Sequence, residues 1–171
     1  MGPLFRLVSP LLFALVAPVL YANRKLRKGW SERLGQYAGD FADLPKPRVW
    51  LHGASAGDLL ALQPVIEALR KAQPELTIIV SSMTESGQEM AKARMTGIDR
   101  LIYLPWDVPF AVRRAIAAIQ PDVLVLEYTE LWPNLIQEAS SRGVRLVLTN
   151  GRISPKNLGS YKRLFAVLGN P

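Results

Sequence analysis

Cysteine is absent from the chain and histidine occurs once, at position 52. Without thiols there is no disulfide framework, no cysteine nucleophile and no Cys-based zinc site, and one histidine cannot build a multi-histidine metal centre. Aromatic residues make up only 8% of the 171 residues and charged residues 20%, against 49% hydrophobic. That balance describes one ordinary folded domain and argues against disorder or a multidomain enzyme. A core of this size buries roughly 70% of the unfolded chain's surface, so it stands without metal or disulfide staples.

Acidic residues are also in deficit, 14 Asp+Glu against 21 Lys+Arg, for a net charge of +7. Residues 1–33 carry six basic side chains and one acid, Glu32, whereas the other 138 residues carry 15 basic and 13 acidic. The excess is therefore N-terminal. A nucleic-acid-binding protein would spread clustered Lys/Arg with aromatics along its body, so nucleic acid is not an expected partner.

Leu7 to Ala22 reads LVSPLLFALVAPVLYA, without a charge. Sixteen helical residues reach about 24 Å, short of the ~30 Å hydrocarbon core, and Pro10 and Pro18 are expected to interrupt or bend the helix. A signal peptide would want a better cleavage site than Leu20-Tyr21-Ala22. A spanning anchor needs Pro3 to Asn23 to contribute. A helix packed on the domain and a helix lying in one leaflet are the other readings. Arg24, Lys25, Arg27 and Lys28 follow at once, and such a cluster is drawn to anionic headgroups by about 1 kcal/mol per charge. Membrane attachment with the domain on the cytoplasmic side is the expectation.

Beyond the Gly39–Pro47 connection, strand and helix patterns alternate. Strands are expected at Arg48–His52, Leu76–Ser81, Arg100–Tyr103, Asp122–Leu126 and Val144–Leu148. Helices are expected at Asp58–Ala72, Ser86–Met95, Val108–Ile119 and Pro133–Arg142, with a terminal one near Tyr161–Leu168. The pattern predicts an α/β fold, a doubly wound parallel sheet with an N-terminal hydrophobic helix. Residues 1–33 form the membrane segment and 34–171 the folded domain.

In an open parallel sheet, ligands collect beyond the carboxyl ends of the strands. Four loops lie there, spanning Gly53–Asp58, Ser82–Gly87, Glu127–Asn134 and Thr149–Ser154. Gly53-Ala-Ser-Ala-Gly57 is neither a dinucleotide nor a Walker-type phosphate signature. Asp58 can complement a helix dipole there, and Ser82, Thr84 and Ser86 can serve as turn or N-cap residues. Glu127 and Glu130 end the Asp122–Leu126 strand, where a carboxylate can meet Asp58 across a crevice as an acid/base pair, and Glu130 can instead cap a helix begun by Leu131-Trp132-Pro133. His52 is expected to be a hydrogen-bonded structural residue more readily than a base.

Six segments then occur in order: Gly29-Trp-Ser-Glu-Arg-Leu-Gly35, Leu51-His-Gly-Ala-Ser-Ala-Gly-Asp58, Met83-Thr-Glu-Ser-Gly87, Leu104-Pro-Trp-Asp107, Thr129-Glu-Leu-Trp-Pro-Asn134 and Asn150-Gly-Arg-Ile-Ser154. Together they resemble the N-terminal half of the 3-deoxy-D-manno-octulosonic acid (Kdo) transferases of lipopolysaccharide assembly. The resemblance implies the Rossmann-like acceptor half of an inverting GT-B glycosyltransferase. It docks on the cytoplasmic face of the inner membrane and receives a lipid A precursor, while a C-terminal domain outside these residues binds CMP-Kdo. A carboxylate at position 58 takes the proton of the acceptor hydroxyl, and no metal or cofactor is implied; Glu130, from the reading of the residues above, is the second catalytic candidate. Ser55, Gly57, Ser86, Gly87, Asn134 and Arg152 are the expected acceptor-binding residues. The chain departs from the family at Asp58, where the family has Glu, and at Tyr128, where the family has the first Glu of its E-T-E-L-W-P-N motif. A degenerate membrane-docked module that only holds an acidic glycolipid, and an unrelated nucleotide-binding domain, are the competing expectations.

Overall fold

The computed structural model of the chain describes residues 3–39, 41–128 and 130–151, with Gly159 and Lys162. Arg152 and the helix expected over Tyr161–Leu168 lie outside the described residues. Seven helices and five strands are described: α1 Pro3–Ala22, α2 Arg24–Arg27, α3 Trp30–Arg33, β1 Arg48–His52, α4 Ala56–Ala72, β2 Thr77–Ser82, α5 Glu85–Arg94, β3 Arg100–Tyr103, α6 Pro109–Ile119, β4 Val123–Glu127, α7 Pro133–Ser141 and β5 Arg145–Thr149. A short 3-10 turn spans Phe41–Asp43.

All strand pairs are parallel and the sheet order is β3-β2-β1-β4-β5. The chain walks outward from β1 through β2 to β3, then returns by α6 to place β4 on the other side of β1. That reversal opens a crevice between the carboxyl ends of β1 and β4, the position where this class of sheet binds its ligands.

Strand alternation sorts the core into two layers. Trp50, Ile79, Leu124 and Leu126 point to one face and pack with Ile116 and Ile119 of α6 and Leu135 and Ile136 of α7. Val49, Leu51, Ile78, Val80 and Val125 point to the other and pack with Leu59, Leu62 and Ile66 of α4 and Ala91 of α5. Burying each of these large side chains contributes about 1.5–3 kcal/mol. A sheet covered on both faces explains why β1 and β2 are buried at every position.

Element limits move by a residue or two from the expected ones, for local reasons. Ser55 is the N-cap of α4, so the helix starts at Ala56 and Asp58 falls at its third position. Thr84 caps α5 by accepting the Gly87 N–H at 3.0 Å. Asp122 lies just before β4 and accepts the Arg48 N–H at 2.7 Å, tying the start of β1.

The largest difference is at the N-terminus. Helix α1 runs unbroken through Pro10 and Pro18, because each proline removes one backbone bond but the apolar run and the docked inner face hold the rest. Its 20 residues span about 30 Å. One face is seated on the domain: Phe13 meets the rings of Trp30, Trp106 and Phe110 with centroids 5.9–6.3 Å apart. The Ser9 hydroxyl accepts from Asn134 Nδ2, and Arg6 pairs with Glu138 at 3.7 Å. The opposite face, Leu7, Leu11, Leu15 and Val19, is exposed, Leu15 to 76%.

The Gly29–Gly35 segment locks this helix to the sheet. Glu32 accepts the N–H of Tyr103, the last residue of edge strand β3. Arg33, fully buried, donates to Lys28 O and Met83 O and lies over the rings of Tyr103 and Trp106 at 4.4 and 4.9 Å. Gly29 has φ +67°, and a Cβ there would stand 1.9 Å from the Tyr103 ring, so only glycine fits.

Candidate active site

The loops after β1 and β4 meet at the crevice. Gly53 is required there by close approach, since a Cβ would come within 3.0 Å of Asp58 and Leu59. Asp58 Oδ2 accepts the Ser55 N–H at 2.8 Å and the Ser55 hydroxyl at 2.9 Å. Asp58 thus performs the capping role its position suggests, with one oxygen held and the carboxylate fixed in orientation.

His52 closes the floor. It is fully buried, and its Nδ1 lies 3.1 Å from the Ser81 carbonyl and 3.0 Å from the Ser81 hydroxyl. A carbonyl only accepts, so Nδ1 carries the proton and Nε2 presents its lone pair 4.0 Å from Glu130 Oε2. Burial pulls the imidazole pKa down to about 4, against smaller raising contributions from the Ser81 backbone and the Asp58 charge. Glu130 moves the other way: burial raises its pKa, the charge of Asp58 adds to that, and the neighbouring Trp132 indole offsets part. The structure therefore brings Asp58, Glu130 and a neutral His52 together, two carboxyl groups in unequal surroundings over one acceptor nitrogen. Among the described residues His52 Nε2 is buried without a hydrogen-bond partner, and the buried Trp132 Nε1 lies beside the Glu130 carboxylate. Such groups beside a half-buried carboxylate suit a polar substrate.

A pH prediction follows for His52. Its stabilising contribution is full above the unfolded value of about 6.5 and is lost as pH falls through about 4, a swing of about 3 kcal/mol. As the chain's sole histidine, its Cε1–Hε1 NMR peak is expected to stay flat from pH 8 to pH 5. An inflection between pH 6 and 7 would show the ring to be neither desolvated nor held neutral.

Ser86 and Gly87 sit on the adjacent β2–α5 loop. Ser86 lines a cleft of about 460 Å³ with Lys25, Leu26, Met83, Thr84, Glu85 and Glu89. Gly57 is exposed at the start of α4, while Gly87 is buried against Ser82 and Thr84. A larger cavity of about 810 Å³, bounded by Pro47, Val49, Val123 and Arg145, lies at the opposite end of the sheet, where the strands begin.

Asn134 stands apart from this group. It is buried, and its amide donates to Asp107 O at 2.6 Å and to Ser9 Oγ at 3.3 Å. Glu130 does not cap α7. The N–H groups of Asn134 and Leu135 go to Asp107 at 3.1 and 2.9 Å, because that carboxylate reaches the helix end from the β3–α6 loop. Burial lifts the Asp107 pKa to about 6 even against those bonds. Glu127, the residue before Tyr128, is fully buried and accepts from Thr149 and Asn150, so it ties β4 to β5 outside the crevice. Sequence reasoning passed over Asp107 and Arg33. The available signal was a charged residue inside each of two short motifs rich in Trp and Gly.

The sequence model described as 3-deoxy-D-manno-octulosonic-acid transferase (kdotransferase) matches residues 28–170. The chain belongs to the Kdo transferase family. It is 31% identical to the 3-deoxy-D-manno-octulosonic acid transferase of Haemophilus influenzae over 96% of this chain and 38% of that protein. A probable mitochondrial 3-deoxy-D-manno-octulosonic acid transferase of Arabidopsis thaliana is 31% identical over 93% of the chain and 36% of its own length. A bifunctional glycosyltransferase/methyltransferase of Fusobacterium nucleatum is 29% identical over 94% and 25%. This Kdo transferase family chain thus spans between a quarter and two fifths of these relatives.

Proposed function

We propose that the chain is the acceptor-side domain of an inverting GT-B Kdo transferase, acting on a lipid A precursor at the cytoplasmic face of the inner membrane. The observation that carries this reading is the meeting of Asp58 and Glu130 at the β1/β4 crevice. The acceptor hydroxyl oxygen attacks the anomeric carbon of Kdo and gives its proton to Asp58. CMP departs with the electron pair of the broken C–O bond. Glu130, whose burial favours its protonated form, can hold a proton beside the sugar, and His52 Nε2 can accept that hydrogen bond.

Ser55, Gly57, Ser86 and Gly87 lie on the two adjacent loops that would receive the acceptor, and Arg152, outside the described residues, is proposed to bind it as well. Asn134, buried between Asp107 and Ser9, holds the start of α7 rather than the acceptor. CMP-Kdo binds on a domain outside these residues, and neither metal nor cofactor is assigned to the step. The exposed face of α1 lies in one leaflet with Arg24, Lys25, Arg27 and Lys28 on its anionic surface, which suits an acceptor that stays in the bilayer. The seated inner face, with Arg6 and Ser9 turned to the domain, favours lying in the leaflet over spanning it.

Purified chain in detergent with a diphosphorylated lipid A precursor tests the reading, with and without CMP-Kdo. Acceptor binding with no mass gain is the expected result for this domain alone. A mass gain of one Kdo would mean that the chain transfers unaided. Absence of binding would overturn the assignment. Tyr128 in place of the family's Glu favours the second reading, a module that holds an acidic glycolipid without transfer. Binding that persists without any transfer when a donor half is supplied would establish it.

A further inference from the structure

The first turn of α7 has no cap of its own. Its N-cap residue, Trp132, offers no side-chain bond, and the turn is gripped instead from two other elements. On one side Asp107 takes the N–H groups of Asn134 and Leu135. On the other, Asn134 spends its second amide hydrogen on Ser9 of α1, and Glu138, one turn further along α7, meets Arg6 of α1. The two polar residues that interrupt α1's apolar run early in the helix are therefore those that face α7. Ser9 is buried, and Asn134 more so.

Only Leu131 separates Glu130 from Trp132, so the carboxyl and the indole move together with the start of α7. The Trp132 ring stands edge-on to His52, 6.2 Å away at 71°. A shift of the α7 start is felt directly at the floor of the crevice.

We propose that Asn134 is a positioning residue that makes the placement of Glu130 and Trp132 beside His52 depend on the seating of α1. The helix whose outer face is apolar then does more than hold the domain at a surface: its seat sets the geometry of the crevice. The functional meaning rests on Glu130 belonging to the reacting pair, but the structural link does not, and the two can fail separately.

The single histidine gives the readout. Its Cε1–Hε1 peak feels the Trp132 ring current, which changes steeply with ring position. Full chain carrying labelled histidine is compared in detergent micelles as wild type, Ser9→Val, Ser9→Thr, Asn134→Ala and Leu15→Ala. Valine and threonine have nearly the same shape, and only threonine keeps the hydroxyl. Ser9→Val and Asn134→Ala are expected to move the peak by several linewidths. Ser9→Thr and the outer-face control Leu15→Ala are expected to leave it in place. A Ser9→Val peak at the wild-type position would overturn the proposal, as would equal shifts in Ser9→Val and Leu15→Ala. If Asn134→Ala fails to fold, the valine/threonine pair decides alone. Failure of the wild-type chain to bind the lipid A precursor would sink the functional reading and leave this comparison intact.

Discussion

Arg33→Ala is expected to lower the melting temperature of the chain by roughly 10 °C, the equivalent of about 3–5 kcal/mol in a domain of this size. Two effects oppose each other at this residue. Burial of a guanidinium is costly, and it lowers the pKa of Arg33 against the raising influence of Tyr103 and Glu32. Among the described residues one of its nitrogens, Nη1, also has no partner. Removing the charge recovers that cost. Truncation, however, strips the donors from Lys28 O and Met83 O and empties the slot between the Tyr103 and Trp106 rings. Orphaned carbonyls cost about 1–3 kcal/mol each, and a cavity this large adds to them. The losses win. Arg33→Met keeps most of the volume and drops the charge, so it should lose less than the alanine variant. Thermal unfolding followed by circular dichroism reads both. An alanine variant melting with the wild type would mean that Arg33 does not lock α3 to the sheet.

Arg33 also marks where sequence reading stops. The sheet was legible because buried parallel strands are short apolar runs: Arg48–His52 and Arg100–Tyr103 fall where expected, and the others shift by one residue. The crevice was legible because strand order and loop composition agree on the ends of β1 and β4. What failed to show was tertiary borrowing. Asp107 caps a helix 26 residues downstream, and Glu32 satisfies an edge-strand N–H 71 residues away. Neither leaves a periodic trace, since a cap from another element needs no fixed spacing. The same holds for α1, where composition gave the apolar run but could not divide it into a seated face and an exposed one. That division depends on Phe13 meeting three rings from other segments.

Asp58 is the residue at which stability and chemistry should separate most sharply. Asp58→Ala is expected to cost only about 1 kcal/mol of stability, the worth of a helix cap. In a reaction supplied with the donor half, CMP-Kdo and a lipid A precursor, the same change should slow transfer by about 10²–10⁴-fold, the usual contribution of a general base. Capping and base catalysis do not compete for the side chain. Ser55 holds Oδ2 through its N–H and its hydroxyl, so in the proposed reaction Oδ1 is the oxygen that would take the acceptor proton. A base oriented by a third group is the arrangement that activates a nucleophile. Ser55→Ala should accordingly slow transfer less than Asp58→Ala, since the backbone N–H of Ser55 still orients the carboxylate. Asp58→Glu restores the family's residue and suits the third helical position equally well, so it should keep both stability and transfer. Full turnover in Asp58→Ala would reduce the residue to a cap. A slow Asp58→Ala beside an active Asp58→Glu would mean that the carboxylate acts on the acceptor itself, because both variants leave the fold in place and only one keeps the base.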